Sequence, residues 1–142
     1  MQNYLVTGGA GFIGSSLIRE LLKDKSNNLV MLDAITYSGR KENFSELSGN
    51  SSFSFIEGNI CDNQICHQII LETKPEGIIN IAAETHVDRS IDSPDVFIQT
   101  NILGTQNLLK IALEYWQTLN SNKQETFRFV QVSTDEVYGS LE

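Results

Sequence analysis

The chain reads as a doubly wound α/β domain built on a parallel sheet, and three observations predict it. Short apolar runs alternate along the chain with longer stretches of helical period. A glycine-rich turn, TGGAGFIG, joins the first run to the first helical stretch. An acid, Asp33, closes the second run about 20 residues beyond that turn.

Strands are expected at residues 3–7 (NYLVT), 28–33 (NLVMLD), 53–58 (FSFIEG), 77–82 (GIINIA) and 127–133 (FRFVQVS). Helices are expected at 12–24, 62–73 and 94–119, with a shorter one at 41–48. Strand, helix and strand in succession imply right-handed crossovers and a sheet covered on both faces. Ser93 as N-cap and Pro94 at the first helical position open the long helix. That helix carries two apolar stripes: Phe97, Leu108, Ile111, Ala112, Tyr115 and Leu119 form one, and Ile98, Ile102, Leu109, Leu113 and Trp116 the other. A helix that is apolar on two sides needs two surfaces to pack against.

The 142 residues suffice for one domain with a single core. A hydrophobic content of 40%, a charged content of 20% and a mean hydropathy of -0.17 are those of an ordinary globular chain. The net charge of -8 and the isoelectric point near 4.7 disfavour nucleic acid and anionic membranes, whose recognition depends on Lys and Arg. The start MQNYLVTGGAG has neither a basic region nor a cleavage site, so a cytoplasmic protein is expected. Two cysteines, Cys61 and Cys66, are too few for a disulfide framework, and reduced thiols are the expectation.

Gly9, Gly11 and Gly14 fit G-x-G-x-x-G, and Gly8, Gly11 and Gly14 fit the variant with glycines three apart. Such glycines permit a tight turn, let backbone approach a pyrophosphate, and let helix pack close to strand. The pyrophosphate then meets the positive end of the helix. A structural turn without a ligand is the competing reading. The preceding strand, the apolar helix that follows and Asp33 together favour a dinucleotide. The Asp33 carboxylate would accept from a ribose hydroxyl and repel a 2′-phosphate, which selects NAD over NADP. Arg40 and Lys41 read as solvated loop charges.

Open parallel sheets bind ligands beyond the carboxyl ends of their strands. After the third strand stand Asn59 and Ile60, candidate adenine contacts, and Asp62, a candidate helix cap. After the fourth come the small Ala82 and Ala83 and the hydroxyl of Thr85. After the fifth come Ser133, Thr134, Asp135 and Glu136, converging on the place a nicotinamide would occupy.

The segments TGGAGFIG, LDAITYSG, AAETHVDRSI, TNILGTQNLL and STDEVYG resemble the extended short-chain dehydrogenase/reductase family, most closely its dTDP-glucose 4,6-dehydratases, over the whole chain and in order. The resemblance implies a Rossmann-like NAD-binding domain over 1–142, with strand order 3-2-1-4-5. It implies further cofactor contacts from Phe12 and Ile13, from Ala34, Ile35 and Thr36, from Ile81 and Glu84, and from Thr100. It also implies the chemistry. NAD oxidises C4 of a nucleotide-linked glucose, which acidifies the C5 proton; Glu136 takes that proton, Asp135 protonates the departing C6 hydroxyl, and the hydride returns to C6. Thr134 bonds the C4 oxygen and Thr85 contacts substrate. No metal takes part.

Two departures accompany the resemblance. The family's Tyr-x-x-x-Lys lies beyond Glu142, and Tyr138 has no lysine four residues on. The expectation is an N-terminal portion, without a substrate domain, that does not turn over alone. Asn59 stands where Asp is common. By the same resemblance, the second stripe of the 94–119 helix either pairs two subunits into a homodimer or is covered by the remaining half of the protein. An NAD-binding module without catalysis and a related epimerase are the alternative functions, and Asp135 and Glu136 argue against the epimerase. Cys61, Cys66 and His67 lack zinc-site spacing, and Ser90, His86 and Asp88 form no triad by proximity in sequence alone. His86 is a candidate for the sugar pocket, and Arg89 for a pair with Asp88 or Asp92 or for a substrate contact.

Overall fold

The apolar runs become five strands: β1 (Gln2–Thr7), β2 (Asn27–Asp33), β3 (Phe53–Glu57), β4 (Gly77–Asn80) and β5 (Arg128–Gln131). All four pairings are parallel, and the order is β3-β2-β1-β4-β5, as predicted. The structure is a computed structural model that describes residues 1–139, the side chains of Val87, Asp135 and Glu136 excepted.

The two-residue period of each strand sorts its side chains onto two faces. Leu5, Val30, Leu32 and Ile78 point to one face and are buried under α2 (Asn63–Thr73) and the long helix. Val6, Leu29 and Met31 point to the other, under α1 (Phe12–Leu21) and a 3₁₀ segment at Lys41–Leu47 that contributes Phe44 and Leu47. Asp62 caps α2 by accepting from the Ile65 N–H at 3.1 Å, as its position suggested. Among the described residues no helix is long and apolar enough to cross a membrane.

The region after β4 differs from expectation. Residues 87–92 form a helix, α3 (Val87–Asp92), that apolar periodicity did not announce. The long helix is one right-handed run in three parts: α4 (Pro94–Phe97), a π-helical turn (Ile98–Gly104) and α5 (Thr105–Thr118). Ser93 makes no side-chain capping bond there. Leu108, Ile111, Ala112 and Tyr115 of the first stripe are buried, whereas Ile98, Ile102, Leu109 and Leu113 of the second are about half exposed. A further short helix, α6 (Ser121–Thr126), is tied back through Trp116, whose Nε1 donates to the Gln124 carbonyl at 3.0 Å.

β4 and β5 end at Asn80 and Gln131, each two residues earlier than expected. The ladder stops where β1 stops, since Thr7 pairs with Asn80 and Asn80 with Gln131. Beyond that line the chain diverges and leaves a crevice at the carboxyl edge.

Candidate functional site

A cavity of about 440 Å³ occupies that edge. Its floor is the glycine turn. Gly8 sits at φ +71°, and a Cβ there would lie 2.5 Å from the Ala82 nitrogen, so only glycine lets β1 pass this close to the exit of β4. A Cβ on Gly14 would overlap the Gly8 carbonyl oxygen, which lets α1 seat directly on the turn. Gly11 is the N-cap of α1, with no side-chain cap and no acid in the first turn. The first-turn N–H groups are thus available to an anion and carry the positive end of a ten-residue helix.

At one end of the crevice Asp33 leaves β2. Its Oδ2 accepts from the Ala10 N–H and its Oδ1 from the Ile35 N–H, both at 2.8 Å. Each oxygen keeps a lone pair for a ligand hydroxyl. The Ile35 bond holds that residue at φ +47°, a costly conformation for a β-branched side chain. Ala34 and Thr36 line the cavity, whereas the half-buried Ile35 side chain packs against the core cluster under α1. Asn59 and Ile60 line the same end, and the Asn59 Oδ1 is engaged by the Cys61 N–H at 2.8 Å.

The middle wall is the irregular stretch from Ile81 to His86, all six residues of which face the cavity. Beneath it a polar network runs outward from buried Thr7 and Asn80: Thr7 Oγ1 donates to Asn80 Oδ1, and Asn80 Nδ2 donates to Oε1 of the exposed Gln131 at 2.7 Å. Phe12 and Ile13 stand at the mouth, 86% and 60% exposed. Thr100 lines the cavity from the π-helical turn, and Ser133 and Thr134 close the far end. Residues 135–138 follow as a 3₁₀ turn; the side chains of Asp135 and Glu136 lie outside those described.

Sequence reasoning missed Leu32, Ser38, Gly39, Gly58 and Val132 as lining residues. Gly39 and Gly58 carried a signal, since each is a glycine soon after a strand. Arg89 pairs with neither Asp88 nor Asp92: its guanidinium lies 3.7 Å over the Tyr37 ring, which also meets His86 edge-on at 5.3 Å. Lys41, expected to be merely solvated, pairs with Glu57 at 2.8 Å. Asp88 and Ser90 lie two apart on one helix and so face different ways, which leaves no triad with His86. Among the described residues no His, Cys, Asp or Glu cluster could hold a metal. Burial pushes the Cys66 thiol up to about 12, with Asp62 and Cys61 adding to the rise, so it remains protonated and inert at neutral pH.

The described cavity, with an uncapped helix end, a flanking carboxylate and hydroxyls at its far rim, can accept an elongated ligand with an anionic centre and a diol. The family model described as GDP-mannose 4,6 dehydratase matches residues 5–142. A dTDP-glucose 4,6-dehydratase of Neisseria meningitidis serogroup B is 45% identical over 141 residues, covering 99% of this chain and 40% of that protein. The structure of dTDP-glucose 4,6-dehydratase from Streptomyces venezuelae with NAD and TYD bound superposes with a TM-score of 0.85 at 38% identity, over 99% of this chain and 42% of that one. That of the Bacillus anthracis dTDP-glucose 4,6-dehydratase in complex with NAD gives 0.82 at 36% identity, over 100% and 40%. The chain therefore spans about 40% of the length of the relatives it matches. Alike in sequence and in backbone from β1 through β5, the chain belongs to the GDP-mannose 4,6 dehydratase family of extended short-chain dehydrogenase/reductases.

Proposed function

We propose that this chain is the NAD-binding portion of a dTDP-glucose 4,6-dehydratase, which converts dTDP-glucose to its 4-keto-6-deoxy derivative. The observation that carries the reading is the continuous crevice from Asn59 and Asp33, over the uncapped start of α1, to Ser133 and Thr134. Its residues fit a dinucleotide. Asn59 and Ile60 would flank the adenine and Asp33 would accept from the ribose. Gly11, Phe12 and Ile13 would meet the pyrophosphate, and Ala82, Ala83 and Thr100 would bracket the nicotinamide half.

When bound, NAD supplies reversible oxidation at the sugar. The chain's own residues do the rest. Thr134 bonds the C4 oxygen and Thr85 orients the sugar. Once C4 is a ketone, its C5 proton is acidic enough for Glu136 to remove, and Asp135 protonates the C6 hydroxyl as it leaves, which completes loss of water across C5 and C6. Where bound substrate excludes water, two neighbouring carboxyls would raise each other's cost of ionisation, which would let one hold its proton near neutral pH. Adjacent acids therefore serve adjacent carbons.

Titration calorimetry tests the reading. NAD is expected to bind this chain about tenfold tighter than NADP, a difference of about 1.4 kcal/mol, and Asp33→Asn is expected to erase most of that preference. Equal binding of the two cofactors by the unaltered chain, or binding of neither, contradicts it.

The exposed stripe of Ile98, Ile102, Leu109 and Leu113 supports a homodimer formed through the long helix. Sedimentation is expected to show self-association that Leu113→Glu abolishes; a monomeric unaltered chain would speak against the pairing. The proposal assigns the protein to the cytoplasm.

A further inference from the structure

Asn101 lies on the π-helical turn, next to the cavity-lining Thr100. Its amide grips the backbone of Glu84 from both sides: the Glu84 N–H donates to Asn101 Oδ1 at 2.8 Å, and Asn101 Nδ2 donates to the Glu84 carbonyl at 2.9 Å. Among the described residues, few other hydrogen bonds hold the backbone of the gripped stretch. The β4 ladder ends at Asn80 and α3 begins at Val87. In between, the Ile81 N–H reaches the Thr7 carbonyl at 3.1 Å, and the Ala82 N–H only approaches Thr7 Oγ1 at 3.4 Å. All six residues of this stretch nevertheless line the cavity, so their backbone position sets its width.

The turn bearing Asn101 is itself anchored on the opposite side. A Cβ on Gly104 would lie 2.7 Å from Ile60, so the turn rests directly on the exit of β3, where Cys61 Sγ also donates to the Gln99 carbonyl at 3.2 Å. A π turn carries one residue more than an α turn and re-aims the side chains it bears, and such turns recur at functional sites. Here it bridges the exits of β3 and β4.

We infer that Asn101 is a positioning residue that holds the Ala83–Thr85 backbone at the cavity wall and so fixes the space available to the nicotinamide half of NAD. The inference rests on the NAD reading above. The role requires an amide, since one atom must accept and the other donate. Leucine satisfies neither requirement; aspartate keeps the acceptor but turns a second anionic oxygen toward the Glu84 carbonyl.

The test compares Asn101→Leu and Asn101→Asp with the unaltered chain, using NAD calorimetry, amide hydrogen exchange at Glu84, and circular dichroism to confirm folding. In the unaltered chain the Glu84 amide is expected to exchange slowly. Asn101→Leu should expose it and weaken NAD binding roughly tenfold, the worth of about one hydrogen bond. Asn101→Asp should keep the amide protected yet bind NAD as weakly, a split that general destabilisation does not produce. Rapid exchange at Glu84 in the unaltered chain, or unchanged NAD affinity in both folded variants, overturns the inference. A protected Glu84 amide that only Asn101→Leu exposes, in a chain that binds no NAD, upholds the clamp and overturns the cofactor reading instead.

Discussion

Gly8→Ala is expected to cost about 3 kcal/mol and to lower the melting temperature by on the order of 10 °C. Two effects add at this position. The φ of +71° penalises any L side chain, and the new methyl would stand 2.5 Å from the Ala82 nitrogen and 2.7 Å from its Cα. Both obstacles are backbone atoms, so no rotamer change relieves them. Gly49 separates the two effects, because it has φ +84° and a methyl added there would meet nothing within 4 Å. Gly49→Ala should therefore cost only about 1 kcal/mol. Thermal melts of the pair measure the close approach by difference, and equal losses would show that Gly8 is required for its dihedral angle alone. Because β1 and the β4 exit form the cavity floor, Gly8→Ala should also abolish NAD binding at temperatures where the chain is still folded.

The second large effect concerns the acidic pair, measured in a chain that carries the remaining length seen in its relatives. Glu136→Gln is expected to lower kcat by about 10²–10⁴, the usual worth of a general base, and Asp135→Asn by a similar factor. The two should differ in one respect. With Glu136 intact, the C5 proton still leaves and returns, so Asp135→Asn should retain solvent deuterium exchange at C5 while losing dehydration. Glu136→Gln should lose both. Exchange that persists in Glu136→Gln would remove the base from the assignment.

The features legible in the sequence were those with a local cause. Apolar runs marked the strands because parallel strands are buried on both faces, as Leu5 and Val6 are. The glycine turn and Asp33 were legible because one short segment carries the geometry and the second strand ends at a known distance from it. Features made by tertiary contact were not. The π-helical turn consists of ordinary helix-compatible residues, and its register answers to Gly104 resting on Ile60. Ile35 at φ +47° runs against its own propensity and is held there by the Asp33 carboxylate. The stack of Arg89, Tyr37 and His86 joins segments far apart in sequence, so neighbouring Asp88 and Asp92 looked like better partners than they are. Likewise, the ends of β4 and β5 were read two residues long because Ile81, Ala82 and Val132 are apolar, while the ladder is limited by the length of β1.

The direction in which NAD lies along the crevice is read from a crystal structure of this chain grown with NAD. Adenine is expected beside Asn59 and Ile60, pyrophosphate over Gly11 at the start of α1, and the nicotinamide ring beside Thr134 with the Asp135 and Glu136 carboxyls turned toward its sugar-facing side. NAD bound in the reverse direction, or the two carboxyls directed away from the crevice, would contradict the proposed function.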